Sequence, residues 1–126
     1  MAIAELMNRT VVTVGPDAPV AEAAGRMVRA KVGSTIVLQD TFLAGILTER
    51  DVLRAAASGK DLATSTVSEW MTRDPQWVSP STSADKAAQL MMLNGFRHLP
   101  VMDGRHVCGV VSLRELFAAR ISRRPV

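Results

Sequence analysis

Apolar residues recur at Val20, Ala23, Ala24, Met27 and Val28, and again at Ala84, Ala87, Ala88, Met91 and Met92. Both sets follow the i, i+3, i+4, i+7, i+8 spacing that lines one face of an α-helix. The pattern predicts two helices with buried stripes, in which the Met pairs act as adaptable core filler. After each helix the period changes to that of strands. Residues 35–38 with 43–47, and 99–102 with 107–111, read as two hairpins joined by short turns at 39–42 and 103–106. Residues 11–14 and 76–78 read as short extended segments ahead of the first helices. Each hairpin runs straight into a further helix, starting near Glu49 and Leu113. Val52, Leu53 and Ala56, and Leu116 and Phe117, are its expected apolar contacts.

The same order of elements therefore occurs twice. Sliding the sequence along itself aligns residues 4–54 with 68–118 without a gap. Glu5/Glu69, Met7/Met71, Arg9/Arg73, Val14/Val78, Pro16/Pro80, Ala23/Ala87, Ala24/Ala88, Met27/Met91, Val37/Val101, Gly45/Gly109 and Arg50/Arg114 are identical. Residues 55–67 have no counterpart and read as a helix end plus a linker. A unit of about 60 residues is marginal alone, so the expectation is one shared body of two βαββα units, residues 1–63 and 64–126. The fold class is α/β (α+β), the units packed sheet to sheet with helices outside. Asp17 and Pro19 are expected to open the first helix, Ser81 or Ser83 the second. Gly33 and Gly95 fall where a left-handed residue commonly ends a helix.

Composition narrows the function classes. Aromatic residues make up 4% of the 126. The core must therefore come from aliphatic residues and the seven Met. Cys108 is the only cysteine, so no intramolecular disulfide forms, which suits a reducing compartment. No apolar run approaches a membrane span and the N-terminus lacks the order of a signal peptide, so a cytoplasmic location is expected. The net charge of +3 gathers in the second half, where Arg120, Arg123 and Arg124 crowd the end. This reads as a solvated tail; a weak anion or nucleic-acid patch is the rival. His98, His106 and Cys108 lack zinc-ligand spacing, so no metal site is expected. Ser112 lies between strand and helix as a hydrolase nucleophile does, but Val110 and Leu113 stand where that elbow needs glycine. No glycine-rich phosphate loop occurs. Trp70 and Trp77 read as anchors packing the linker onto the sheets. No enzyme and no catalytic cofactor are expected.

The chemistry concentrates at the repeated strand–helix junction, Gly45-Ile-Leu-Thr48-Glu-Arg-Asp51 and Gly109-Val-Val-Ser112-Leu-Arg-Glu115. A hydroxyl followed three positions later by a carboxylate is first a capping box. The same geometry also suits a ligand. A helix start offers free N–H donors to a phosphate, and a carboxylate one turn in can accept from the vicinal hydroxyls of a ribose.

With Val67-Ser-Glu-Trp-Met71-Thr and Gly95-Phe-Arg-His-Leu-Pro-Val101-Met-Asp103 added, the pattern resembles a tandem pair of cystathionine-β-synthase (CBS) domains over about residues 4–119. The resemblance implies a regulatory Bateman module that binds an adenine nucleotide (AMP, ADP or ATP) or S-adenosylmethionine in clefts between the repeats. It implies a homodimer formed through helices, with small Ala55, Ala56 and Ala57 permitting close packing, and an unidentified regulated protein as partner. Carried over, the first cleft uses Thr48, Arg50, Asp51, Thr82, Ala87, Phe96, Arg97 and His98. The second uses Ala18, Ala23, Val32, Gly33, Ser112, Arg114 and Glu115. Glu115 is one methylene longer than the expected Asp and Ala18 lacks the hydroxyl of Thr82, so the second cleft is expected to be weaker. The rival is a dimerisation module whose junctions act only as caps.

Overall fold

A computed structural model describes residues 1–122 in their backbone, with side chains through Ala119. Arg123, Arg124 and the side chain of Arg120, on which the basic-tail reading rests, lie outside the described residues.

The chain forms two compact units. The first is Val11–Pro75. Its sheet has the order β1-β2-β3-β4, with β1 (Thr13–Val14), β2 (Ser34–Gln39), β3 (Phe42–Thr48) and β4 (Thr72–Arg73). β1 runs parallel to β2, and the other neighbours are antiparallel. Helices α1 (Val20–Ala30), α2 (Glu49–Ala57) and the single turn α3 (Val67–Trp70) complete it. Val14, Ala23, Val37, Leu47 and Val67 form its core.

The second unit combines Met1–Thr10 with the described residues from Gln76 onward. It holds α4 (Ala84–Asn94), the hairpin β5 (His98–Asp103) and β6 (His106–Ser112), and α5 (Leu113–Ser122). Single bridges extend the hairpin on both edges, Val78 parallel to Val101 and Asn8 antiparallel to Val110. Its core contains Ile3, Val78, Ala87, Met91, Leu99, Val101, Val111 and Leu116.

The two compact units are divided along the chain differently from the repeats 1–63 and 64–126. The segment that opens each repeat completes the sheet and core of the unit formed around the other repeat's hairpin. Five of the eleven internal identities take their meaning from this arrangement. A Cβ on Gly45 would stand 2.6 Å from the Met71 sulfur and 2.7 Å from the Thr72 carbonyl oxygen. One on Gly109 would stand 2.7 Å from the Met7 sulfur and 3.0 Å from the Asn8 carbonyl oxygen. Glycine is needed at both positions because a methionine and a backbone edge lie flat across it. The Pro16 carbonyl accepts from the Ser68 N–H at 2.9 Å, and the Pro80 carbonyl from the Ala4 N–H at 2.9 Å. Glu69 accepts from the Thr66 N–H as Glu5 does from the Ala2 N–H. Arg73 donates to the Ser68 carbonyl as Arg9 does to the Ala4 carbonyl.

Several local expectations are corrected. Asp17 does not cap α1. Pro19 holds that position with extended backbone and supplies no side-chain bond. Ser83 caps α4, accepting from the Lys86 N–H at 3.1 Å. Gly95 ends α4 in the left-handed region, but α1 ends on Lys31 (φ 58°) and Gly33 is not left-handed. The helix stripes are narrower than their spacing suggested. Val20, Ala23, Met27, Ala87 and Met91 are buried, whereas Val28 and Met92 are exposed. Leu53, Ala56 and Phe117 are exposed too, and buried Ala55 supplies the α2 contact instead. Trp77 is also exposed and anchors nothing.

Candidate functional site

Each strand–helix junction is held at a fixed place by its sheet. Thr48 ends β3 opposite Ser34, and the Gly33 carbonyl accepts from the Glu49 N–H at 3.0 Å. Ser112 ends β6 opposite His98, and the Arg97 carbonyl accepts from the Leu113 N–H at 2.9 Å. The loop that follows the first helix of each repeat, Val32–Gly33 or Phe96–Arg97, thus abuts the helix start within the same unit.

At the first junction Thr48 and Asp51 form a closed capping box. Asp51 Oδ2 accepts from the Thr48 N–H at 2.9 Å and from the Thr48 hydroxyl at 3.1 Å. The Thr48 Oγ1 accepts from the Asp51 N–H at 3.4 Å. Asp51 is buried, and its second oxygen, Oδ1, receives the Arg54 guanidinium at 3.3 Å. At the second junction Glu115 Oε1 accepts from the Ser112 N–H at 2.9 Å, and Ser112 Oγ accepts from the Glu115 N–H at 3.1 Å. The longer Glu115 thus reaches the same backbone donor as Asp51. Capping, the first reading of the motif, is realised at both junctions. A ligand there must compete with these internal bonds.

The remaining candidate residues are distributed over both units. Thr48, Arg50 and Asp51 of the first set lie in the Val11–Pro75 unit, and Thr82, Ala87, Phe96, Arg97 and His98 in the other. Of the second set, Ala18, Ala23, Val32 and Gly33 lie in Val11–Pro75, and Ser112, Arg114 and Glu115 in the other. Ala23 and Ala87 are fully buried members of their own cores. Arg50, Arg97 and Arg114 are exposed cations beside the two junctions. The Thr82 hydroxyl is bound by the Ser79 N–H at 3.1 Å. A groove of about 340 Å³ in the Val11–Pro75 unit is lined by Thr13, Val14, Gly15, Ala18, Glu22, Arg26, Leu38 and Asp40. Ala18 is the only candidate residue on its wall.

Sequence reasoning passed over Arg54. It pairs with Asp51 and lies over the Trp70 ring, 5.8 Å from its centroid. The signal was available as an Arg three residues after the carboxylate, where the second repeat has Ala118. No group of three or more His, Cys, Asp or Glu side chains suited to a metal occurs among the described residues. No helix among them is long and apolar enough to cross a membrane.

Comparison with known proteins agrees with the duplication. The CBS domain family model matches residues 3–58 and again 67–122. The chain is 35% identical over 122 residues to the CBS domain-containing protein YhcV of Bacillus subtilis, covering 96% of this chain and 86% of that one. A hexameric CBS-CP12 protein from bloom-forming cyanobacteria superposes with a TM-score of 0.90 at 30% identity, over 100% of this chain and 75% of its own. The CBS domain pair of protein MJ0100, solved with 5′-methylthioadenosine and S-adenosyl-L-methionine, superposes with a TM-score of 0.90 at 21% identity, over 98% of both chains.

Proposed function

The chain belongs to the CBS domain family as a tandem pair, and from that premise we propose that it is a regulatory module that binds an adenosine-containing ligand at its strand–helix junctions. The observation that carries the reading is the first junction, where a hydroxyl, a carboxylate and a helix start occur together beside the exposed cation Arg50. Helix-start N–H groups and Arg50 suit a phosphate, and the Asp51 carboxylate suits a ribose diol. A protein of the same fold holds 5′-methylthioadenosine and S-adenosyl-L-methionine, which shows that the fold accommodates this ligand class. Arg97, His98, Phe96 and Thr82 are proposed with the first set, and Ser112, Arg114 and Glu115, with Ala18, Val32 and Gly33, as the weaker second one; Ala87 and Ala23 are fully buried in their cores and contribute only through their small size. AMP, ADP and ATP are the proposed nucleotides, bound in a reducing, cytoplasmic setting. Output passes to a partner protein or through oligomerisation, and the ligand shifts the population through its unequal affinity for two states.

Calorimetric titration of AMP, ATP and S-adenosylmethionine into the wild type, Asp51→Ala and Glu115→Ala tests this. The larger loss is expected from Asp51→Ala; equal losses would overturn the ranking of the two junctions. A ligand at 100 times its Kd adds about 2.7 kcal/mol of stability, so a thermal shift screen gives a second readout.

A scaffold reading is favoured by two observations. Both capping boxes are closed, and each unit leaves apolar side chains uncovered on its helices: Val28 and Leu53 in one, Met92, Leu93 and Phe117 in the other. We take these faces as the surface of a homodimer. Light scattering of the wild type against Leu53→Glu and Phe117→Glu separates an assembly formed through them from a monomer.

A further inference from the structure

We infer that Arg54 is a latch on the first junction, competing with the ligand's vicinal hydroxyls for Asp51 and so setting affinity and diol dependence. The inference rests on the reading of Asp51 as the diol acceptor. Its basis is the division of labour between the two carboxylate oxygens. Oδ2 is committed to the chain itself, holding the N–H and hydroxyl of Thr48 at 2.9 and 3.1 Å. Releasing it would uncap α2. Oδ1 is then the oxygen left for an incoming donor, and Arg54 Nη1 already stands on it at 3.3 Å. The Asp51 side chain keeps 7% of its exposure, whereas that of Arg54 keeps 63%. The carboxylate is fixed and the guanidinium is the partner free to leave.

Arg54 also has a second place to rest. Its guanidinium lies 5.8 Å from the centre of the Trp70 ring, and Lys60 lies 6.0 Å from the same ring. A cation that keeps its contact with a partly buried indole loses little on leaving a carboxylate. Displacement from Asp51 can therefore leave the contact with Trp70 in place, rather than releasing Arg54 into bulk water. The second repeat has Ala118 at the matching position, so the latch belongs to one junction only. It makes the first junction selective for ligands whose ribose hydroxyls can replace the guanidinium on Asp51 Oδ1.

The test compares AMP, 5′-methylthioadenosine and 2′,3′-dideoxyadenosine by calorimetry on the full chain and on Arg54→Ala. The first two share the diol and differ in charge; the third lacks the diol. A single-contact ion pair whose cation is largely solvated corresponds to about a fivefold change in affinity. AMP and 5′-methylthioadenosine are both expected to bind more tightly to Arg54→Ala, by a similar factor of that size. Dideoxyadenosine should be unaffected. In a Trp77→Phe background, where Trp70 is the sole indole, AMP should shift the emission of the wild type and leave that of Arg54→Ala unmoved. AMP binding that weakens in Arg54→Ala while 5′-methylthioadenosine binding does not would make Arg54 a phosphate ligand and overturn the latch. Unchanged binding of both diol compounds overturns the latch and leaves the functional reading standing. If neither compound binds either chain, the functional reading is lost and the latch with it.

Discussion

Thr35 and Leu99 occupy matching places in the two repeats, each in the first hairpin strand and opposite an apolar residue of the second, Leu47 or Val111. Both are essentially excluded from solvent. Leu99 is a member of its unit's apolar core, whereas the Thr35 hydroxyl is buried with no partner among the described residues. The junctions differ in a similar way. Asp51 carries the extra Arg54 pair, and the second repeat has Glu115 with Ala118. Backbone-level tasks are duplicated closely: the glycine under a methionine, the proline carbonyl that accepts from the opposite repeat's opening segment, and the box at each helix start. Side-chain chemistry has diverged around them. The lesson is that the scaffold repeats while polar atoms distinguish the Val11–Pro75 unit, in its core and at its junction.

Exchanging features between the units probes that difference directly. The largest effect is expected from Leu99→Ala, which empties a fully packed site and should cost about 2–5 kcal/mol by chemical denaturation. A loss under about 1 kcal/mol would mean that the Leu99 site is not tightly packed. Gly45→Ala forces a methyl against the Thr72 carbonyl and should cost about 1–3 kcal/mol. Gly109→Ala, where the facing carbonyl stands farther off, should cost less. If the order is reversed, the two edges do not differ as described. Thr35→Val keeps the shape and removes an unmet hydroxyl, and should stabilise the protein by about 1 kcal/mol. A loss of stability there would show that the hydroxyl is satisfied in solution. The smallest effects belong to the caps. Thr48→Ala and Ser112→Ala should each cost about 1 kcal/mol, Thr48→Ala slightly more because its hydroxyl also donates to Asp51. Equal thermal shifts would remove that distinction.

Much of the fold was legible because its signals are local. The four hairpin strands to within a residue at each end, the helix starts at Glu49 and Leu113 and both boxes follow from alternation, from the duplication and from a hydroxyl three residues before a carboxylate. Two things were not. Helical spacing identified Val28, Met92, Leu53 and Phe117 as apolar but could not say that they point away from the core, since a second apolar face keeps the same period. Nor did local pattern show that Met7 lies over Gly109 and Met71 over Gly45, because such pairing is decided by contacts distant in sequence. The identities were visible, but their partners were not. At the candidate site the carboxylates were found from their motif. Arg54 was missed because a cation one turn along a helix ordinarily belongs to a solvated face.

The placement of the first ten residues bears on how the chain is made. Val11–Pro75 is continuous and can close soon after it leaves the ribosome. Asn8 must wait for Val110, and the Ala4 N–H for Pro80. Residues 4–8 are therefore translated well before the partners that complete their sheet. A change within residues 4–8 would then be felt in the unit built from Gln76 onward.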